Sequence, residues 1–120
     1  MKIVVLEDDP LVGNGLVRLL RQYGHRALYV RRPEEARTLI ASQDYVDIAI
    51  ADFGLGDGES GVEFLGWLRR EHPQVRRVLI SALDRPREFP DEPPTQVFVQ
   101  KPFAAPALAA ILRGSPTCTP

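Results

Sequence analysis

The 120-residue chain has the length of one globular domain. Its hydrophobic fraction of 44% and charged fraction of 26% exclude the composition of an intrinsically disordered protein. With a formal net charge of -1 the chain has no overall basic field, so we expect no direct binding to nucleic acid. The single cysteine, Cys118, permits no intrachain disulfide, and no apolar run approaches the roughly 20 residues that span a membrane. We therefore expect a cytoplasmic protein without membrane contact.

Five short aliphatic runs predict β-strands, and segments with helical spacing lie between them. The runs cover residues 2–6, 27–30, 47–51, 75–80 and 96–99. Alternation of strands and helices favours a parallel sheet with helices on both faces. The strands are almost continuously apolar, as expected when both faces of a sheet are buried. The sequence therefore predicts an α/β fold with a doubly wound, five-stranded parallel sheet.

Capping residues and prolines mark the predicted helix boundaries. Asp9 is a predicted N-cap, followed by Pro10 at the first helical position, where a missing N–H costs nothing. The second helix is predicted to begin at Pro33, and Ser60 is predicted to cap the third. A short last helix is expected to start near Pro106.

The segment 84–94 interrupts this alternation, because a helix is due there and the sequence is rich in proline. The prolines are Pro86, Pro90, Pro93 and Pro94. Each proline inside a helix costs about 3 kcal/mol, so we predict that the fourth helix is degenerate or replaced by a proline-rich loop. We expect the exposed prolines and Phe89 of this loop to form a partner-specific surface.

Polar residues follow the predicted strands where each strand ends. They are Glu7, Asp8 and Asp9 after the first strand, Asp52 after the third, Ser81 after the fourth and Lys101 after the fifth. The carboxyl ends of neighbouring parallel strands meet at one crevice, so these side chains should converge. Carboxylates about 5 Å apart repel by about 3 kcal/mol per pair, and such a cluster calls for a cation. Mg²⁺ suits hard oxygen ligands in an incomplete protein shell.

These residues resemble the response-regulator receiver domains of two-component signalling. The resemblance is carried, over residues 2–113, by Glu7-Asp8, Asp52, Ser81-Ala82 and Lys101-Pro102-Phe103. It implies a flavodoxin-like strand order of 2-1-3-4-5. It also implies that Asp52 takes a phosphoryl group, in a Mg²⁺-dependent reaction, from a phosphohistidine on a sensor histidine kinase or a histidine phosphotransfer protein. Phosphorylation would then switch contacts with a downstream protein partner.

The resemblance also implies the metal ligands. Asp8 and Asp52 would bind Mg²⁺ directly, Glu7 through water, and Gly54 through its backbone carbonyl. Asp9 falls outside this set and keeps its capping role. Such a domain catalyses only its own phosphorylation and dephosphorylation and is not an enzyme for other substrates.

By the same resemblance Lys101 and Ser81 contact phosphoryl oxygens, and Ser81 and Phe98 form the switch. Phe98 stands where the family often has tyrosine, and Gly56 stands where it usually has proline, so the loop after the phosphoacceptor should be looser than usual. We expect the receiver domain to cover residues 1–114 and residues 115–120 to form a flexible tail.

Two other functions compete with this interpretation. A pseudo-receiver adaptor would have the same fold and signal without phosphorylation, but the complete set of acids with Ser81 and Lys101 argues against it. A small Mg²⁺-dependent aspartyl phosphatase would need a second aspartate two residues after Asp52, and Gly54 occupies that position.

Overall fold

A computed structural model describes residues 1–54 and 58–113, and within them the chain forms one parallel sheet with helices on both faces. The strands are β1 (Lys2–Leu6), β2 (Arg26–Val30), β3 (Ile48–Asp52), β4 (Arg76–Ser81) and β5 (Gln96–Gln100). The helices are α1 (Pro10–Gln22), α2 (Pro33–Ser42), α3 (Gly61–Glu71) and α4 (Ala105–Leu112). The strand order β2-β1-β3-β4-β5 confirms the predicted topology. Gly56, Cys118 and the predicted tail lie outside the described residues.

The helices begin where the capping signals place them. The Asp9 carboxylate accepts a hydrogen bond from the Leu11 amide at 3.0 Å and caps α1. Ser60 Oγ accepts from the Glu63 amide at 3.1 Å, and the Glu63 carboxylate accepts from the Ser60 amide at 3.0 Å. This reciprocal pair is a capping box that fixes the start of α3.

Two apolar cores cover the two faces of the sheet, as expected for a doubly wound fold. One core packs α2 and α3 against the sheet and includes the fully buried Phe64 and Leu68. The other core packs α1 and α4 against the opposite face and includes Val17, Leu20 and Leu108. Among the described residues, the structure contains no helix that could cross a membrane.

The connection between β4 and β5, which the structure describes completely, contains no helix and confirms the predicted loop. The expectation that Phe89 is exposed is wrong, because its side chain is only 2% exposed and belongs to the core beneath α2 and α3. The missing helix leaves the sheet face near β4 without an apolar cover, and Phe89 supplies one. Pro93 and Pro94 of the same loop are exposed.

Candidate functional site

The carboxyl ends of the strands bring the predicted acidic residues together. One carboxylate oxygen from each of Glu7, Asp8 and Asp52 lies within 4.8 Å of the others. Glu7 and Asp8 directly follow β1, and Asp52 ends the neighbouring β3, so adjacent parallel strands place the three groups at one edge of the sheet. Asp9 turns away from them to cap α1. The convergence inferred from the strand ends is therefore present.

The Asp52 carboxylate is held at both oxygens. Its Oδ1 accepts a hydrogen bond from Lys101 Nζ at 2.9 Å, and its Oδ2 accepts from the Gly54 amide at 3.1 Å. Lys101 Nζ also lies 3.8 Å from Glu7 Oε1. One ammonium group therefore lies between two carboxylates and offsets part of their mutual repulsion. The Asp52 side chain remains 13% exposed, which leaves it accessible from solvent.

Glu7 is the most buried acid of the cluster, with 5% of its surface exposed. Desolvation is the main cause that raises the pKa of Glu7 from 4.5 to about 7, and the nearby Asp52 charge adds to it. A hydrogen bond from the Asp9 amide to Glu7 Oε2, at 3.1 Å, acts in the opposite direction. Without a metal ion, Glu7 therefore keeps its proton to a higher pH than an ordinary glutamate does.

This raised pKa makes the stability of the metal-free protein depend on pH. The folded state binds the Glu7 proton more tightly than the unfolded chain, so the associated stability is complete below pH 4.5 and is lost as pH rises through about 7. Glu7→Gln keeps an oxygen for the Asp9 amide and removes the charge. In EDTA at about pH 8 we expect this variant to be more stable than wild type by about 1 to 3 kcal/mol.

Urea unfolding across the pH range tests this expectation. The difference in the free energy of unfolding between Glu7→Gln and wild type should decrease steadily toward acid pH, because both side chains are then neutral. Glu71→Gln, at an exposed position in the last turn of α3, is the matched control and should show no such trend. A constant difference would contradict the assignment of the proton to Glu7.

Gly54 contacts Asp52, Ser81 ends β4 beside β3, and Phe98 lies on β5, the next strand of the sheet. Ser81 is buried at the end of β4, and its Oγ accepts a hydrogen bond from the Leu83 amide at 2.9 Å. Phe98 on β5 is half-buried and packs against the core beneath α2 and α3. Gly54 is exposed and contacts Asp52 through its amide.

The structure adds two contacts around the cluster that the sequence interpretation missed. A Cβ on Gly61 would lie 2.2 Å from the carbonyl oxygen of Asp52, so only glycine lets α3 start this close to the acid. Tyr29 on β2 donates a hydrogen bond from its hydroxyl to the carbonyl of Glu7 at 2.8 Å. The only sequence signal for the Gly61 contact was a glycine directly after a capping serine. No sequence signal indicated the Tyr29 hydrogen bond.

A flavodoxin-like sheet with clustered carboxylates at its strand ends and a lysine beside them defines a receiver domain of two-component signalling. The family model for the response regulator receiver domain matches residues 3–113, and the chain belongs to this family. Receiver domains are signalling domains that bind Mg²⁺ at an acidic pocket.

Individual relatives agree with this assignment. The transcriptional regulatory protein PmrA of Pectobacterium parmentieri is 30% identical over 94% of this chain and 51% of its own length. The BeF3-activated receiver domain of RstA from Klebsiella pneumoniae is 26% identical with a TM-score of 0.79, over 94% of this chain and 96% of that one. The response regulator TrrA, in complex with histidine kinase ThkA, is 25% identical with a TM-score of 0.78, over 93% of this chain and 95% of that one. The chain spans about half the length, 42% to 51%, of the curated relatives it matches.

Proposed function

We propose that Asp52 is the phosphoacceptor of this receiver domain. The observation that carries the proposal is the position of its carboxylate, 2.9 Å from Lys101 Nζ and within 4.8 Å of the Glu7 and Asp8 carboxylates. An Asp52 oxygen attacks the phosphorus of a phosphohistidine, and an acyl phosphate bond forms as the bond between phosphorus and the imidazole nitrogen breaks. The imidazole leaves with the electron pair and takes up a proton.

The donor set of the acidic cluster fits Mg²⁺, because three carboxylates are hard oxygen ligands and their mutual repulsion favours a divalent cation. We assign Asp8, Asp52 and the Gly54 carbonyl as its direct ligands and Glu7 as a ligand through water, the pattern that the family resemblance implies. When bound, Mg²⁺ neutralises charge on the phosphoryl oxygens. Asp52 Oδ1 and Lys101 then orient the incoming group.

Lys101 and Ser81 complete the phosphoryl site. The Lys101 ammonium pairs with Asp52 before phosphorylation. Because it is a compact point charge, it can change partner and pair with a phosphoryl oxygen afterwards. Ser81 Oγ accepts from the Leu83 amide, so its own proton is free to be donated to the phosphoryl group. Movement of Ser81 would carry Leu83, which is 65% exposed, and Phe98 on the neighbouring strand β5 is the second switch residue that the family resemblance implies. Movement at these residues is the proposed switch.

We propose a histidine kinase or a histidine phosphotransfer protein as the phosphodonor, which the complex of TrrA with ThkA supports by analogy. Beside the acidic cluster, a mainly apolar cavity of about 450 Å³ lies between α1 and Phe103 and reaches Asp52 and Lys101. Leu11, at its rim, is 86% exposed and offers an apolar contact to a donor protein. We also propose that the receiver domain ends near residue 114, as a family match to residue 113 supports.

Intact mass measured after treatment with acetyl phosphate and Mg²⁺ tests this function. The protein should gain a single phosphoryl group and then stop. Steady turnover of a phosphate ester would instead support the phosphatase alternative. An unmodified mass, with the fold intact, would support a pseudo-receiver.

Mg²⁺ should also stabilise the folded protein, because it binds the native cluster and not the unfolded chain. The gain follows RT ln(1 + [L]/Kd), about 2.7 kcal/mol at a free Mg²⁺ concentration of about 100 times Kd. Asp8→Ala should remove this response and, in EDTA, should be at least as stable as wild type because one carboxylate fewer is repelled.

Thermal unfolding with Mg²⁺ and with EDTA measures both effects. The matched control is Asp9→Asn, which removes a neighbouring charge, keeps the α1 cap and should leave the Mg²⁺ response unchanged. A full Mg²⁺ response in Asp8→Ala would argue against Asp8 as a ligand.

A further inference from the structure

The turn that carries Glu7 and Asp8 is held by two side chains, one from β2 and one from the residue that follows β2. Backbone pairing of β1 with β2 ends at the Glu7 amide, which donates to the Val30 carbonyl at 3.1 Å, so the carbonyls of Glu7 and Asp8 need other partners. The Tyr29 hydroxyl donates to the Glu7 carbonyl at 2.8 Å. The Arg31 guanidinium donates to the Asp8 carbonyl through Nε at 3.3 Å and Nη2 at 3.1 Å. Two consecutive carbonyls of the acidic turn are thereby fixed by the end of β2 and the residue after it.

Gly13 of α1 makes the Tyr29 contact possible. A Cβ at Gly13 would lie 2.3 Å from Cε1 and 2.8 Å from Oη of Tyr29, so the ring fits against the helix only because this residue has no side chain. Glycine is a poor helix former, and alanine would favour α1 intrinsically. Gly15 lies on the same helix, and a Cβ there would meet nothing within 4 Å. A side chain would therefore meet Tyr29 at Gly13 and open space at the exposed Gly15.

We propose that Tyr29 and Arg31 are positioning residues that fix the acidic turn and thereby set the affinity for Mg²⁺. The argument rests on the proposed metal site at Glu7, Asp8 and Asp52. These carboxylates lie within 4.8 Å of one another and repel, so an untethered turn relaxes by rotating its peptides and moving the acids apart. Tyr29 and Arg31 oppose this relaxation at the backbone, without contacting the cation.

Groups that hydrogen-bond the ligating side chains change metal affinity by about 10-fold to 100-fold when they are lost. Tyr29 and Arg31 act one step further out, on the backbone carbonyls of Glu7 and Asp8, so we expect effects at the lower end of this range. Tyr29→Phe retains the ring and its packing and deletes only the hydroxyl that reaches Glu7. We expect it to weaken Mg²⁺ binding by about 10-fold. Arg31→Gln should have a smaller effect, since Arg31 is exposed and water can replace its hydrogen bonds.

Gly13→Ala provides an independent route to the same loss. Its methyl group displaces the Tyr29 ring, because the three atoms nearest to it all belong to Tyr29. The double variant Gly13→Ala with Tyr29→Phe should bind Mg²⁺ no more weakly than either single variant, because both substitutions remove the same hydrogen bond. Gly15→Ala and Tyr45→Phe, with Tyr45 59% exposed and far along the chain, are matched controls that should bind Mg²⁺ like wild type.

Isothermal titration calorimetry with MgCl₂ gives Kd for each variant, and urea unfolding in EDTA gives its stability without metal. A rise in Kd for Tyr29→Phe and Gly13→Ala, but not for the controls, supports the inference. Lower metal-free stability with an unchanged Kd would show a purely structural role and overturn it. If the wild-type protein shows no saturable Mg²⁺ binding, the proposed metal site itself is overturned, and this inference with it.

Discussion

Asp52→Asn is expected to abolish phosphorylation by acetyl phosphate while leaving the protein folded. An amide oxygen carries no charge, so the nucleophile that attacks phosphorus is lost. The folded state loses the ion pair between Asp52 and Lys101, but it also loses the repulsion among the three clustered carboxylates. These two changes oppose each other, so the stability of the variant should lie within about 1 kcal/mol of wild type.

Intact mass spectrometry measures the adduct, and its loss on treatment with base or hydroxylamine identifies an acyl phosphate. Asp9→Asn is the matched control, because Asp9 is next to the cluster in sequence and caps α1. It should be phosphorylated like wild type. An adduct of unchanged size and lability in Asp52→Asn would place the phosphoryl group on another residue.

The convergence of Glu7, Asp8 and Asp52 could be predicted from the sequence because it follows from topology alone. Residues at the carboxyl ends of adjacent parallel strands must be neighbours, and the strands were recognisable from their apolar composition. Each predicted strand agrees with the structure to within one residue at each end. The starts of the helices could be predicted equally well, because capping depends on residues a few positions apart.

Contacts between distant segments could not be predicted in this way. The prolines of segment 84–94 exclude a helix, but they do not indicate which side chain turns inward, and Phe89 was assigned to the surface for that reason. The pairing of Gly13 with Tyr29 depends on how α1 lies against β2, and no local pattern reports it. Both features became visible only when the packing was known.

The contacts of two arginines at the start of β4 could not be predicted either. Both arginines hold the loop that connects β4 to β5, where a helix was due. Arg76 donates to the Pro94 carbonyl at 3.0 Å and to the Leu112 carbonyl, at the end of α4, at 2.8 Å. Arg77, the next residue along the strand, is 3% exposed and donates to Gln96 Oε1 at 2.7 Å. A basic pair in a strand usually indicates a solvent-exposed edge, whereas here both side chains serve the loop and its neighbours.

Arg77 anchors a chain of hydrogen bonds. Its guanidinium also donates to the Val75 carbonyl at 2.8 Å, and Gln96 Nε2 continues the chain to the Pro90 carbonyl at 2.9 Å. Pro90 directly follows Phe89, so these bonds hold the segment that inserts Phe89 into the core. Burial lowers the pKa of Arg77 from its ordinary value, which reflects how far its charge is removed from water. A buried, hydrogen-bonded cation of this kind is sensitive to the loss of either partner.

We therefore expect Arg77→Met to destabilise the protein by about 3 kcal/mol, although methionine has a similar length and no charge to bury. The substitution leaves Gln96 Oε1 and the Val75 carbonyl without their donor in a buried setting. Urea unfolding gives the change in stability, and hydrogen exchange should show faster exchange at the Phe89 amide, which donates to the Pro86 carbonyl at 3.1 Å. The exposed Arg70→Met on α3 is the matched control and should change stability by no more than about 0.5 kcal/mol. If the two variants prove equally stable, Phe89 is held by its own apolar burial, and the hydrogen bonds of Arg77 contribute nothing to the loop.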